Sequence, residues 1–279
     1  MKIDHLVNDI TQWMINYHHE SKRESWIIGV SGGIDSAVAT SLAVRTNIPT
    51  LGIVMPMSTS NHADVIFINR AFNLFNTIRQ NYRITCQTIP IQPIIESYQK
   101  CGVGLSFIYN ENNTFSSYRP IREGNLRSRI RANILYDIAC EYCGLVVGTG
   151  NKDEDEIGYF TKGGDGLVDI CPLSDLHKST VYKLAEYLDV PQEIIQASPS
   201  AGLWDNQTDQ QELGMSYDEI EWALDYDDTV TMQKYLGPYQ QNVLLKVREM
   251  RRKNKHKLCY PPVFKLTREE KGGKNESAN

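Results

Sequence analysis

The residues best suited to chemistry fall in two clusters about 120 positions apart. The first is Ser31-Gly32-Gly33-Ile34-Asp35-Ser36. It lies between an apolar, β-branched run at 26–30 and an alanine- and leucine-rich run at 37–43, so it reads as the turn between a buried strand and a helix. Such a turn aims backbone N–H groups and the positive end of a helix dipole at an anion. Gly32 and Gly33 let the chain turn sharply, Ser31 and Ser36 add hydroxyls, and Asp35 supplies a carboxylate for a hard cation such as magnesium. The second cluster, residues 148–166, holds Thr149, the acids Asp153, Glu154, Asp155 and Glu156, the pair Tyr159-Phe160, Lys162 and Asp165 in a glycine-rich turn. Read alone, the acidic run is a solvated face and the Gly-Gly turn an ordinary capped turn. Side by side they can serve a phosphorylated ligand and its cation.

Short apolar runs at 26–30, 50–56, 82–89 and 145–149 read as strands. Helical periodicity marks 3–20, 61–80, 94–100, 124–142 and 178–188. Pro191 suits the first position of a further helix, Ser216-Tyr217-Asp218-Glu219 has the capping-box pattern, and 231–255 reads as a long basic helix. Strands alternating with helices predict a Rossmann-like, doubly wound parallel sheet with additional C-terminal helices. Ligands of such sheets bind beyond the strand C-termini, which puts the Gly-Gly loop, residues 56–60 and residues 148–156 on one rim. Residues 1–265 are expected to form a single domain and the polar tail 266–279 to be disordered; residues 101–118, rich in Gly, Asn and Ser, read as a loop.

The 279 residues are 41% hydrophobic and 23% charged, as in a soluble globular protein, and the net charge of -5 argues against a nucleic-acid surface. No signal-peptide pattern or membrane-length apolar run is present, so a cytoplasmic location is expected. Of six cysteines only Cys140 and Cys143 have metal-like spacing. They fall at the end of a helix without a second pair, which favours packing over zinc.

The first loop resembles the pyrophosphate loop of ATP pyrophosphatases, and it is not a Walker loop because no Gly-Lys-Ser/Thr follows. The chain as a whole resembles the NAD synthetases. The matching segments begin with Gly29-Val30-Ser31-Gly32-Gly33-Ile34-Asp35-Ser36, Gly124-Asn125-Leu126-Arg127-Ser128-Arg129-Ile130-Arg131, and 148–162 with Gly164-Asp165-Gly166. They continue through Pro172 to Lys178, Pro199-Ser200-Ala201-Gly202-Leu203-Trp204, Gln207-Thr208-Asp209 and Lys255-His256-Lys257. The resemblance implies ATP-dependent amidation of nicotinic acid adenine dinucleotide (deamido-NAD) by ammonia through an acyl adenylate, with release of AMP and pyrophosphate. Nicotinate mononucleotide is the alternative substrate. A tRNA-modifying enzyme on the same loop, or a nucleotide-binding sensor without catalysis, are the rival functions.

By the same resemblance, Gly29, Ser31, Gly32, Gly33, Asp35, Ser36, Thr149, Lys178 and Ser200 contact ATP, and Asp35 and Glu154 hold Mg²⁺. Asn125, Arg129, Tyr159, Lys162 and Asp165 bind deamido-NAD, with Tyr159 stacking on the pyridine ring or, read as an ordinary residue, half-buried in the core. Asp35, Lys178 and Asp165 are the expected catalytic residues. The segments 201–211 and 162–167 are candidate lids. A homodimer is implied, with neither nucleic acid nor membrane as partner. No additional amidase domain of the glutamine-dependent kind is expected, so free ammonia is the nitrogen source. The chain departs from the family pattern at Gly163, Leu167 and Gln210, all near the acid-substrate side.

Overall fold

The computed structural model describes residues 2–60, 62–101, 119–198, 209–226 and 236–265. Four parallel strands form one sheet in the order β3-β2-β1-β4: β1 Ser25–Gly29, β2 Thr50–Val54, β3 Thr85–Thr88 and β4 Gly144–Val147. Trp26 sits opposite Thr50 on one side and Leu145 on the other, which fixes the central register. β1, β2 and β4 are buried almost throughout because helices cover both faces, whereas β3 alternates between exposed and half-buried at the edge.

Successive side chains point to opposite faces. Trp26, Ile28, Val54, Leu145 and Val147 enter one core with α1 (Ile3–Ser21), α2 (Ile34–Arg45), α3 (His62–Ile78), α7 (Lys178–Tyr187) and α8 (Gln192–Ile195). Ile27, Leu51, Ile53 and Val146 enter the other with α4 (Gln92–Lys100) and α5 (Arg119–Glu141). A third cluster joins Ile157 of α6 (Lys152–Ile157) to α9 (Asp209–Leu213), α10 (Tyr217–Asp225) and α11 (Pro238–Leu258).

The doubly wound expectation is met. Several boundaries shift: β3 is shorter than expected, α5 begins at Arg119, and α11 begins at Pro238, with Leu236 and Gly237 outside the helix. The acidic run folds as α6, whose Asn151 N-cap and Glu154 close a capping box. Cys140 and Cys143 are exposed free thiols, which corrects the packing expectation for them: Cys140 lies on an open face of α5 and Cys143 in the turn beyond its end, at φ +46°. The expected loop at 101–118 (apart from Cys101) and tail at 266–279 lie outside the described residues, as does most of the candidate lid at 201–211.

Candidate active site

β1 ends at Gly29 and the chain passes through Val30 into the Gly-Gly turn, with Gly33 as the N-cap of α2. Gly32 has φ +82°, and a Cβ there would lie 2.6 Å from the Phe67 carbonyl oxygen, so neither the backbone nor the space admits a side chain. The serines brace this turn. Their hydroxyls are 3.1 Å apart, Ser31 Oγ accepts the Gly33 N–H at 3.2 Å, and Ser36 Oγ donates to the Gly33 carbonyl at 2.9 Å. The first N–H groups of α2 have no intrahelical acceptor and provide the donors an anion needs.

Asp35, in the first turn of α2, meets residues from two distant segments. Its Oδ2 accepts from Lys178 Nζ at 2.5 Å and its Oδ1 from Asn151 Nδ2 at 3.0 Å. Glu154 Oε1 lies 3.5 Å from the same ammonium and 3.0 Å from the Tyr217 hydroxyl. The capping box aims Glu154, since Asn151 Oδ1 accepts its N–H at 3.1 Å. Asn151 therefore fixes both carboxylates. Lys178 is 3% exposed, and its Nζ also sits 4.7 Å above the Tyr217 ring.

Lys178 opens α7, where the helix dipole disfavours a cation. The buried carboxylate of Asp153 compensates: Oδ2 accepts the Lys178 backbone N–H at 2.8 Å and Oδ1 lies 2.5 Å from His177 Nδ1. Glu221 approaches Asp153 and His177. The ligand atoms of that trio are engaged in hydrogen bonds, with Ser179 Oγ donating to Glu221 at 3.0 Å, so it is a bonded bracket.

Burial pushes Glu154 up to about 8, with the Lys178 ammonium opposing and Asp35 and Asp209 reinforcing the rise. Burial pulls Lys178 down, but Asp35 and Glu154 outweigh it and keep the ammonium charged. With Glu154 raised this far it keeps its proton at pH 7, so Asp35 and Lys178 balance each other, and a bound cation would displace the proton of Glu154. Hard oxygen donors in that balance fit a divalent cation, which Asp35 and Glu154 would hold.

Asn125, Arg129, Lys162 and Asp165 form a second group, between α5 and the turn after α6. Asp165 Oδ1 accepts from Ser128 Oγ at 2.6 Å and from the Thr161 N–H at 3.0 Å. Asn125 Oδ1 accepts the Thr161 hydroxyl at 2.7 Å, and Arg129 Nε donates to the Lys162 carbonyl at 3.2 Å. Lys162 Nζ donates to the His256 carbonyl, while Lys257 Nζ donates to the carbonyls of Gly158 and Phe160, each at 2.8 Å. The hydrogen bonds of Asp165 thus run to Ser128 and Thr161, not to the Lys178 group. The turn at 162–167 is strapped to α5 and α11. Gly163 has φ +75°, a backbone suited to glycine and strained for an aromatic residue.

Tyr159 packs against the third core cluster, and its hydroxyl donates to Glu212 at 2.7 Å and lies 3.4 Å from Asp209. The shorter contact of the Tyr217 hydroxyl is to Asp209 Oδ2 at 2.8 Å; its single proton serves one of the two carboxylates at a time, and the shared hydroxyl links Tyr159 to the Glu154 side. The Tyr159 side chain is half-buried there. Thr149 and Gly29 stand at the ends of β4 and β1 on the same rim; Ser200 lies outside the described residues. Asn151, Tyr217 and Asp209 carry no individual role in the sequence reading, and Asp153 enters it only as one acid of the charged run. The Asn-x-x-Glu spacing of a capping box was the available signal for the first.

A family model described as NAD synthase matches residues 6–261. A curated relative from Methanocaldococcus jannaschii, named NH(3)-dependent NAD(+) synthetase, is 35% identical over 268 residues, covering 94% of this chain and 96% of that one. Among solved structures, the NMN synthetase of Francisella tularensis is 33% identical with a TM-score of 0.80, over 95% of this chain and 100% of that one. The NH3-dependent NAD synthetase of Campylobacter jejuni, in complex with nitrate, is 26% identical with a TM-score of 0.70, over 95% and 100%. A serine-lined glycine loop facing a carboxylate pair on a shared lysine, at the rim of a fold that these relatives share end to end, identifies the chain as a member of the NAD synthase family.

Proposed function

We propose that the chain amidates the carboxylate of deamido-NAD with ammonia at the expense of ATP, releasing AMP and pyrophosphate. The observation that carries this reading is the meeting of Asp35, Glu154 and Lys178, from three separate segments, beside the Gly-Gly turn. Family membership favours it over a tRNA-modifying or sensor role. A carboxylate is a poor electrophile, so it must first be activated. Its oxygen attacks the α-phosphorus of ATP, the bond to the bridging oxygen breaks, and pyrophosphate leaves with that electron pair. Ammonia then attacks the acyl carbon, the carbon–oxygen bond breaks, AMP leaves, and the proton shed by nitrogen passes to solvent.

The loop of Ser31, Gly32, Gly33 and Ser36 would cradle the phosphates, with Gly29 and Thr149 flanking the nucleotide and Ser200 adding a contact. Lys178 would neutralise the phosphates as Asp35 and Glu154 take up Mg²⁺, which when bound stabilises the charge of the departing pyrophosphate. Asn125, Arg129, Lys162 and Asp165 would hold the acid substrate, with Tyr159 at its pyridine end. The strapped turn after α6 would shield the adenylate from water. A cytoplasmic homodimer is proposed as the working form. The homodimer is supported by the exposed apolar side chains of Tyr260, Val263 and Phe264.

The 33% identity to a structure named NMN synthetase favours a second reading, the same chemistry on nicotinate mononucleotide. An assay with ATP, Mg²⁺ and ammonium that compares the two acids distinguishes them. AMP and pyrophosphate formed with deamido-NAD at the higher kcat/KM support the first reading. A higher value with the mononucleotide supports the second, and no product with either acid refutes both.

A further inference from the structure

His177 has no part in the chemistry above, yet both its ring nitrogens face carboxylates. Nδ1 lies 2.5 Å from Asp153 Oδ1 and Nε2 lies 3.1 Å from Asp225 Oδ1. A neutral imidazole has one N–H and satisfies one such acceptor; only the imidazolium donates to both. Asp153, wholly buried on α6, accepts the Lys178 N–H with its other oxygen. Asp225 is the last residue of α10, and the hydroxyl of Tyr217, the first residue of the same helix, lies 3.0 Å from Glu154 Oε1. One line of hydrogen bonds therefore runs from α6 through the start of α7 to the end of α10, with Lys178 beside its midpoint.

We propose that charged His177 is a positioning residue that locks α10 against α6 and α7, fixing Lys178 and Glu154 in the arrangement that receives the ATP phosphates. The inference rests on reading Lys178 as a phosphate contact. The charged groups facing the ring among the described residues are Asp153 and Lys152 from α6 and Asp225 and Glu221 from α10; the ammonium of the next residue, Lys178, turns to Asp35 and Glu154. Burial pulls the imidazole pKa down, but Asp153 and then Asp225 outweigh burial and the opposing Lys152, and the net direction is up. The lock is therefore complete below the unfolded-state value of about 6.5 and is lost as pH rises through the higher folded value.

Two measurements on the full chain test the proposal. Ring nitrogen NMR shifts titrated without nucleotide should show His177 still an imidazolium at pH 7, with its titration moving to lower pH in Asp225→Asn. Calorimetric affinity for Mg·ATP from pH 6 to 9 should weaken about tenfold more in wild type than in His177→Gln, which should bind weakly at every pH. Asp225 is 61% exposed, so Asp225→Asn keeps the test available if His177→Gln does not fold. A neutral ring at pH 7, or a pH course of ATP affinity unaltered in both variants, overturns the inference. Failure of wild type to bind Mg·ATP at any pH overturns the ATP reading and this inference together, whereas a neutral ring leaves the ATP reading standing.

Discussion

Asp35 carries the largest share of the account, because one carboxylate is asked to face both a lysine and a cation. Its two oxygens take the Lys178 ammonium and the Asn151 amide. Asn in its place keeps the shape and one acceptor but removes the charge that balances Lys178 and holds Mg²⁺. Asp35→Asn should therefore lower kcat by about 10²-fold or more, the scale of losing one preorganised electrostatic group. Its far-UV spectrum and melting point should stay near those of wild type. Turnover close to wild type would contradict the assignment. The Gly-Gly loop and Asp35 were legible in sequence because a glycine-rich strand-to-helix turn puts all its chemistry within six consecutive residues. Tyr217 and Asp209 were not, since their hydrogen bonds depend on helices α9 and α10 docking beside α6, and no local spacing encodes that approach.

At the scale of elements, the site depends on how α6 and α7 begin. The Asn151 capping box starts α6 and orients Glu154; Asp153, one residue earlier, caps α7 from outside. Asp153→Ala would leave a buried N–H and the His177 ring without their acceptor. It should cost about 2–3 kcal/mol, read as a lower urea midpoint with an unchanged slope, together with reduced kcat/KM for ATP. A midpoint equal to wild type would show that α7 does not need this carboxylate. The long helices and the strands were readable because apolar periodicity averages over many positions. Helices α6 and α9, of 6 and 5 residues, are too short to show a period, so the acidic run read only as a charged, solvated face. The cysteine pair misled for a related reason: spacing says which residues share a helix face, but tertiary packing decides whether that face is covered.

For the whole molecule, the parallel sheet gathers residues about 120 and 140 positions from Asp35 onto one rim, which a long-range fold can do and a local motif cannot. The same scale holds the proposed assembly. The segment after α11 exposes Tyr260 at 97% and Phe264 at 82%, apolar surface that a second copy would cover. Light scattering after size exclusion should give twice the chain mass of 31.8 kDa; the monomer mass across micromolar concentrations would contradict the homodimer. The most direct test of the chemistry follows the carboxylate oxygen. With acid substrate labelled by ¹⁸O in its carboxylate, attack on the α-phosphorus requires one labelled oxygen to appear in AMP, detected by mass spectrometry. Label in inorganic phosphate with formation of ADP, or AMP without label, would contradict adenylation at the Asp35–Glu154–Lys178 site.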